Sequence, residues 1–232
     1  DFKDILTAAA NAGTQPILVV CKTGQTATYA STLLRLSGFS SKALKWGMSG
    51  WNTSLDAWTP NVGNIADGNA NWTTDAAPTN LTYSSPKLSG ITSTSGVEIL
   101  RERVAAVISG GFASATAPDV LANPGNYFIN NYFSEPDYLG FGHVKGAHRI
   151  NPLLVSEGQT NFLDASKPVI TYCYTGQTSG AITAYLRVIG YDAKSLMFGM
   201  NKLSHSNPAW ASSPNKWSAE TQSHDFPLVT GN

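Results

Sequence analysis

The chain has 232 residues, with 15 Lys and Arg against 15 Asp and Glu, so its formal net charge is zero and charged residues make up only 13% of it. That balance argues against an electrostatic partner such as nucleic acid, and no apolar run is long enough to span a bilayer as a helix. The length accommodates one large or two modest domains.

Taken in order, residues 1–12 predict a helix that reads as already under way, so a preceding segment of the same protein is expected to complete the first unit; no signal-peptide pattern opens the chain. A short apolar run at 17–20 predicts a buried strand. Cys21 follows it, and then a polar loop with a glycine, Lys22, Thr23, Gly24, Gln25 and Thr26. A helix is expected over 25–37, with Ala27, Ala30, Leu33 and Leu34 on one face and Gly38 placed to end it. A second strand over 43–46 then implies a parallel pair with a right-handed crossover. Trp51 or Trp58 should pack across the end of this unit.

Residues 59–95 are rich in Asn, Thr, Ser, Gly and Pro, which predicts a long linker lying over the surface. Asn52, Asn71 and Asn80 head N-x-Ser/Thr triplets, for which chance is the better explanation in so hydroxyl-rich a chain. The spacing over 96–108 predicts a packing helix with Arg101, Glu102 and Arg103 on its wet side. A short helix, a Pro-Gly turn and a strand near 127–130 should follow. Beyond them lie the Glu135-Pro136-Asp137-Tyr138 turn and the segment GHVKGAHRINP at 142–152, with a further short strand at 147–150. A short helix is expected at 162–166.

Residues 168–200 then repeat residues 16–48. At one constant offset, Pro16, Cys21, Thr23, Gly24, Gln25, Thr26, Leu34, Arg35, Gly38, Lys42, Leu44, Gly47 and Met48 meet identical residues, and Ala57-Trp58 meets Ala209-Trp210. The second copy predicts a strand over 169–172, then Cys173 and the loop Tyr174, Thr175, Gly176, Gln177 and Thr178. A helix with Ile182, Leu186 and Ile189 as its apolar stripe and Gly190 as its stop comes next, then a strand over 195–198. The fold class is therefore α/β, built from a tandem duplication with one cysteine per copy. Each cysteine is expected at the carboxyl end of a strand, where open α/β sheets place their sites. A disulfide between the two is the bland alternative; matched positions in duplicated loops favour a repeated function instead. Trp210 and Trp217 are expected to anchor the polar tail.

With CxTGQT at a strand end, a helix behind it and GHVKGAHRIN upstream, the chain resembles the rhodanese family of sulfurtransferases. Gly142 to Ala147 looks like that family's GHIPGA element, and Gly47-Met48-Ser49-Gly50-Trp51 resembles its glycine-rich segment after the last main strand. The resemblance implies two rhodanese-like units, each a mainly parallel sheet flanked by helices. Residues 1–58 would be the C-terminal part of a first unit truncated at its N-terminus, 59–95 a linker, and 96–232 a second unit with a tail. The family's usual Asp-x-Arg at a strand end is replaced here by Asn130 and Tyr132. The resemblance further implies transfer of sulfane sulfur from a donor such as thiosulfate to a thiophilic acceptor through a cysteine persulfide, with no cofactor. Cys173 is the first expectation as nucleophile and Cys21 the second, and the loop residues named above would bind substrate.

The chemistry needs a thiolate, and a thiol of ordinary pKa is mostly protonated near neutrality. Lowering such a pKa by two units takes about 2.7 kcal/mol. A helix dipole supplies roughly 0.3 to 1 kcal/mol in exposed settings. Loop N–H groups converging on sulfur, on the order of 1.5 kcal/mol each or more when charge-assisted, could supply the rest. Gly24 and Gly176 would let the loop curl. Thr26 and Thr178 would donate hydroxyl hydrogen bonds or cap the helix. Lys22 would favour an anionic donor, whereas Tyr174 brings no charge.

A phosphatase-like reading is disfavoured, because the Arg that clamps an oxyanion six residues after such a cysteine is here Ala27 or Ser179. His143, His148, His205 and His224 have no compact metal-ligand spacing. Lys145 and Arg149 either line the second site or are solvated charges. A non-catalytic binding or sulfur-carrier module remains the competing class. The Ser, Thr, Asn and Gly content suggests a periplasmic or otherwise extracytoplasmic setting.

Overall fold

The computed structural model describes residues 2–229; Asp1, the first residue of the expected opening helix, lies outside them. A 3-10 turn at Phe2–Asp4 leads into α1 (Ile5–Asn11), followed by β1 (Ile17–Val19), α2 (Gln25–Leu36), β2 (Ser41–Ala43) and α3 (Met48–Trp51). Then come β3 (Trp72–Thr73), α4 (Gly96–Gly110), β4 (Ser114–Ala115), α5 (Ala117–Ala122) and β5 (Phe128–Asn131). The remainder is α6 (Glu135–Phe141), β6 (His143–Val144), β7 (Val169–Tyr172), α7 (Gln177–Val188), β8 (Ala193–Leu196), α8 (Met200–Leu203) and α9 (Ala219–Gln222).

The main sheet has the order β4-β8-β7-β5 and is parallel throughout. All four residues of β7 are buried, as expected of a central parallel strand with covered faces. The fold is thus α/β, a parallel sheet flanked by helices. β1 and β2 form a separate parallel pair, and β3 pairs antiparallel with β6.

Sequence dictates how α2 and α7 end. Gly38 and Gly190 take left-handed φ values of 90° and 105°. In α2 the Phe39 N–H reaches back to the Leu34 carbonyl and Gly38 N–H to Arg35; in α7 Tyr191 and Gly190 do the same to Leu186 and Arg187. Both are Schellman stops, which satisfy carbonyls otherwise left without donors.

α2 and α7 pack on each other where α7 presents small residues. A Cβ on Gly180 would lie 3.1 Å from the Gln25 carbonyl oxygen, so the two backbones approach closely there. Of the expected stripe Leu186 is buried, and the close approach adds Ser179, Gly180, Thr183, Ala184 and Val188 to the buried side of α7. Ile182 and Ile189 are only half-buried. α4 packs against both helices in one apolar cluster with Tyr29, Leu33, Ala184 and Val188. Its Arg103 is not on a wet side, because the guanidinium donates to the Val188 and Arg187 carbonyls and so caps α7.

Other expectations are corrected too. β2 and β8 end earlier than expected, because Trp46 and Phe198 adopt φ of 65° and 64° and turn the chain out of the strand. Residues 59–73 are not a surface linker: Ala66 is buried in the main core beside Ile65 and Trp72, and β3 belongs to a sheet. The strand expected at 147–150 is reduced to one bridge between His148 and Asn130. Near 162–166 the helical turn instead spans Gln159–Phe162. Trp210 and Trp217 are buried as expected, and Trp46, Trp58, Trp217 and Phe198 form a tight aromatic cluster.

The two sequence copies differ most in what covers their first strand. Ile170 and Tyr172 of β7 are fully buried against residues such as Leu121, Ile129 and Phe133, whereas their counterparts Leu18 and Val20 are 56% and 42% exposed.

Gly199 has φ 49°, and a Cβ there would lie 1.9 Å from the Cys173 carbonyl oxygen. Gly199→Ala should therefore destabilise the chain by at least about 2 kcal/mol in urea unfolding. Gly96→Ala, with nothing within 4 Å and no left-handed φ, should stay within about 0.5 kcal/mol of the parent.

Candidate functional site

Both cysteines are free thiols, so the disulfide alternative falls. Cys21 follows the C-terminal end of β1 and Cys173 that of β7, each just ahead of the helix that its loop opens. The two loops are supported alike from below. The Cys21 carbonyl accepts from Met48 N–H at 2.9 Å and the Lys22 carbonyl from Ser49 N–H at 3.1 Å. The Cys173 carbonyl accepts from Met200 N–H at 3.1 Å and the Tyr174 carbonyl from Asn201 N–H at 3.3 Å. Gly47 and Gly199 permit this approach, since a Cβ at either would strike the cysteine carbonyl.

The surroundings of the two sulfurs differ. Cys21 Sγ accepts from Gly24 N–H at 3.1 Å and Ala27 N–H at 3.4 Å. It is half-buried and borders a cleft of about 310 Å³ lined by Phe2, Ile5, Val19, Val20, Thr26 and Ala30. Lys22 beside it is exposed. Cys173 is only 2% exposed. Its Sγ accepts from Ser179 N–H at 3.4 Å, donates to Ser179 Oγ at 3.6 Å, and lies 3.9 Å from Thr175 Oγ1. Ser179 Oγ is in turn 2.8 Å from Ser195 Oγ. Two backbone N–H groups thus reach the sulfur of Cys21 and one reaches that of Cys173.

The remaining loop residues divide. Gly24 and Gly176 are the helix N-caps at φ 83° and 75°. Thr23 Oγ1 accepts from Gln25 Nε2, and Thr175 Oγ1 from Gln177 N–H. Thr26 lines the cleft and Thr178 is exposed; among the described residues neither bonds to a sulfur or caps its helix. Tyr174 turns away from Cys173, stacking on Phe133 at 4.6 Å and donating to Asp137 Oδ2 at 2.5 Å. Burial, with Asp137 also contributing, pushes its phenol up to about 12.

Gln25 and Gln177 each reach across to the other copy. Gln25 Oε1 accepts from Phe198 N–H at 2.8 Å, and Gln177 Nε2 donates to the Thr23 carbonyl at 3.3 Å. Nothing in the repeat itself signals that exchange. Trp58, read from sequence only as core, also donates its indole N–H to the Thr23 carbonyl, at 3.1 Å. Arg149 donates to the Phe133 carbonyl, and Lys145 is exposed. At the position where the family usually carries Asp-x-Arg, Asn130 exchanges bonds with the Ile150 backbone, and the adjacent Asn131 donates to Tyr172 Oη. No cluster of metal-ligating residues exists among the described residues, nor does any helix long and apolar enough to cross a membrane.

A parallel α/β sheet with a cysteine at the end of its central strand, cradled by the first turn of the next helix, defines a thiol site on a strand-loop-helix unit. Residues 132–206, which include Cys173, match the rhodanese-like domain. Among solved structures, the chain is similar to a rhodanese-related protein from Thermoplasma volcanium, with 20% identity over 51% of this chain and 98% of that one and a TM-score of 0.34. It is similar to the BH2092 protein from Bacillus halodurans, with 18% identity, 43% and 77% coverage and a TM-score of 0.33. A protein from Lactobacillus plantarum gives 23%, 48% and 90%, and 0.31. No curated protein matches the chain.

Within the matched domain, His143 is buried, stacked on Tyr138 at 3.6 Å, with Nδ1 3.0 Å from the Tyr138 carbonyl. Burial pulls its pKa below the ordinary 6.5, only partly opposed by that carbonyl and by Asp75. The unfolded chain therefore binds this proton more readily than the folded one. The stability that neutral His143 contributes is complete above 6.5 and is lost as pH falls from there through the lower folded value. Urea midpoints measured at about pH 7 and about pH 5 should fall for the parent and fall less for His143→Gln.

Proposed function

We propose that the chain is a sulfurtransferase that moves sulfane sulfur from an anionic donor such as thiosulfate to a thiophilic acceptor, with Cys21 as the sulfur-carrying residue. The observation that carries this reading is the Cys21 cradle: two backbone N–H groups at 3.1 and 3.4 Å on a half-buried sulfur that opens on a cleft. The Cys21 thiolate attacks the outer sulfur of thiosulfate, forming an S–S bond while the bond to the sulfonate sulfur breaks and sulfite leaves with its electron pair. An acceptor nucleophile then attacks the outer sulfur of the persulfide and returns the Cys21 thiolate. Exposed Lys22 favours approach of the dianion. On this reading residues 1–58 are part of a first rhodanese-like unit, and 96–232 form the second.

The burial of Cys173 at 2% exposure supports a second reading for that unit, a non-catalytic binding or sulfur-carrier module. The order of preference between the two thiols thus differs from the one the resemblance implies.

Incubation with thiosulfate followed by intact-mass measurement separates these readings. The parent and Cys173→Ser should gain the mass of one sulfur atom and lose it to cyanide, and Cys21→Ser should gain none. An increment on Cys173 alone would restore the original order; no increment on either thiol would leave the binding module.

A further inference from the structure

We infer that Gln177 and Trp58 are positioning residues for the Cys21 sulfur, acting through the Thr23–Gly24 peptide. That peptide is a planar trans unit, so its carbonyl oxygen and N–H point in opposite directions and fixing one end aims the other. Its N–H is the closer of the two donors on Cys21 Sγ, at 3.1 Å. Its carbonyl is gripped by two donors at once, Gln177 Nε2 at 3.3 Å and Trp58 Nε1 at 3.1 Å. Donors on the carbonyl also polarise the peptide and strengthen its N–H toward sulfur.

Gln177 belongs to the loop of the other cysteine, so the second copy sets the donor that the first cysteine receives. Its carboxamide lies close against Gly24, where a Cβ would meet Gln177 Cδ at 3.0 Å. Trp58 is fully buried in the aromatic cluster and has no freedom to leave its bond.

The duplication supplies an internal control. The counterpart of Gln177 is Gln25, and its carboxamide goes to Phe198 N–H rather than to the Thr175 carbonyl. Trp210, the counterpart of Trp58, donates to the Ser204 and His205 carbonyls. Among the described residues, nothing grips the Thr175 carbonyl, and there Gly176 N–H makes no hydrogen bond to Cys173, which takes its backbone donor from Ser179 alone. Where the carbonyl is held the loop glycine donates to sulfur; where it is not held, it does not.

The inference deepens the Cys21 reading above, but its readout is thiol alkylation, which needs no sulfane donor, so either can fail alone. The pH dependence of iodoacetamide labelling is followed separately at Cys21 and Cys173 by peptide mass spectrometry of the full chain. Gln177→Met keeps the shape of the side chain and removes its donor; Trp58→Phe removes the indole N–H. Each should move the half-maximal labelling of Cys21 upward by roughly 0.5 to 1 pH unit, the size of one hydrogen bond, and leave labelling of Cys173 slow. Gln177→Glu, which turns a negative acceptor toward the carbonyl, should move it further. An unchanged Cys21 profile in folded Gln177→Met overturns the inference, as does a rise in Cys173 labelling equal to the change at Cys21, which would mean a loosened fold. If Trp58→Phe does not fold, Gln177→Met decides alone.

Discussion

The architecture depends on one contact made twice: the carbonyl of a cysteine, at the end of a strand, accepts a hydrogen bond from the backbone that follows the neighbouring strand. Met48 N–H makes it to Cys21 and Met200 N–H to Cys173. It requires a residue without a side chain just before each donor, and Gly47 and Gly199 supply that. The bulky residue ahead of each glycine is forced into a left-handed conformation, an uncommon and costly state for Trp46 and Phe198. The strain falls where the loop must be held still, so that the amides of the following turn converge on sulfur rather than on solvent.

Symmetry of sequence does not carry over into symmetry of environment. β7 lies inside a four-stranded sheet with both faces covered, while among the described residues β1 pairs with β2 alone, and Leu18 within it and Val20 just after it are exposed. The same divergence reaches the sulfurs: Cys173 is sealed among hydroxyls and Cys21 opens on a cleft. One loop motif thus yields a protected thiol and an approachable one, and the difference comes from what packs around the motif.

Much of this was legible in the residues. The strand, cysteine, loop and helix order followed from apolar runs and from glycines placed to end helices, and Gly38 and Gly190 stop α2 and α7 as their positions imply. Other features were hidden because they depend on distant partners. Nothing near Ala66 in sequence marks it for the main core, and Arg103 looks like a surface charge until α7 brings its last carbonyls alongside. The exchange of Gln25 and Gln177 was invisible because the repeat pattern says which residues match, not which copy each side chain will serve. The early ends of β2 and β8 were missed because an apolar run at Trp46 or Phe198 reads as strand, whereas the backbone has already turned.

Three of the chain's six tryptophans, Trp46, Trp58 and Trp217, lie with ring centroids 4.9 to 5.7 Å apart. One of them is bonded directly to the cysteine loop. Indole emission is sensitive to hydrogen bonding and to neighbouring rings, so the protein carries a built-in optical gauge of the peptide beneath Cys21, one that needs no label to report when that loop moves.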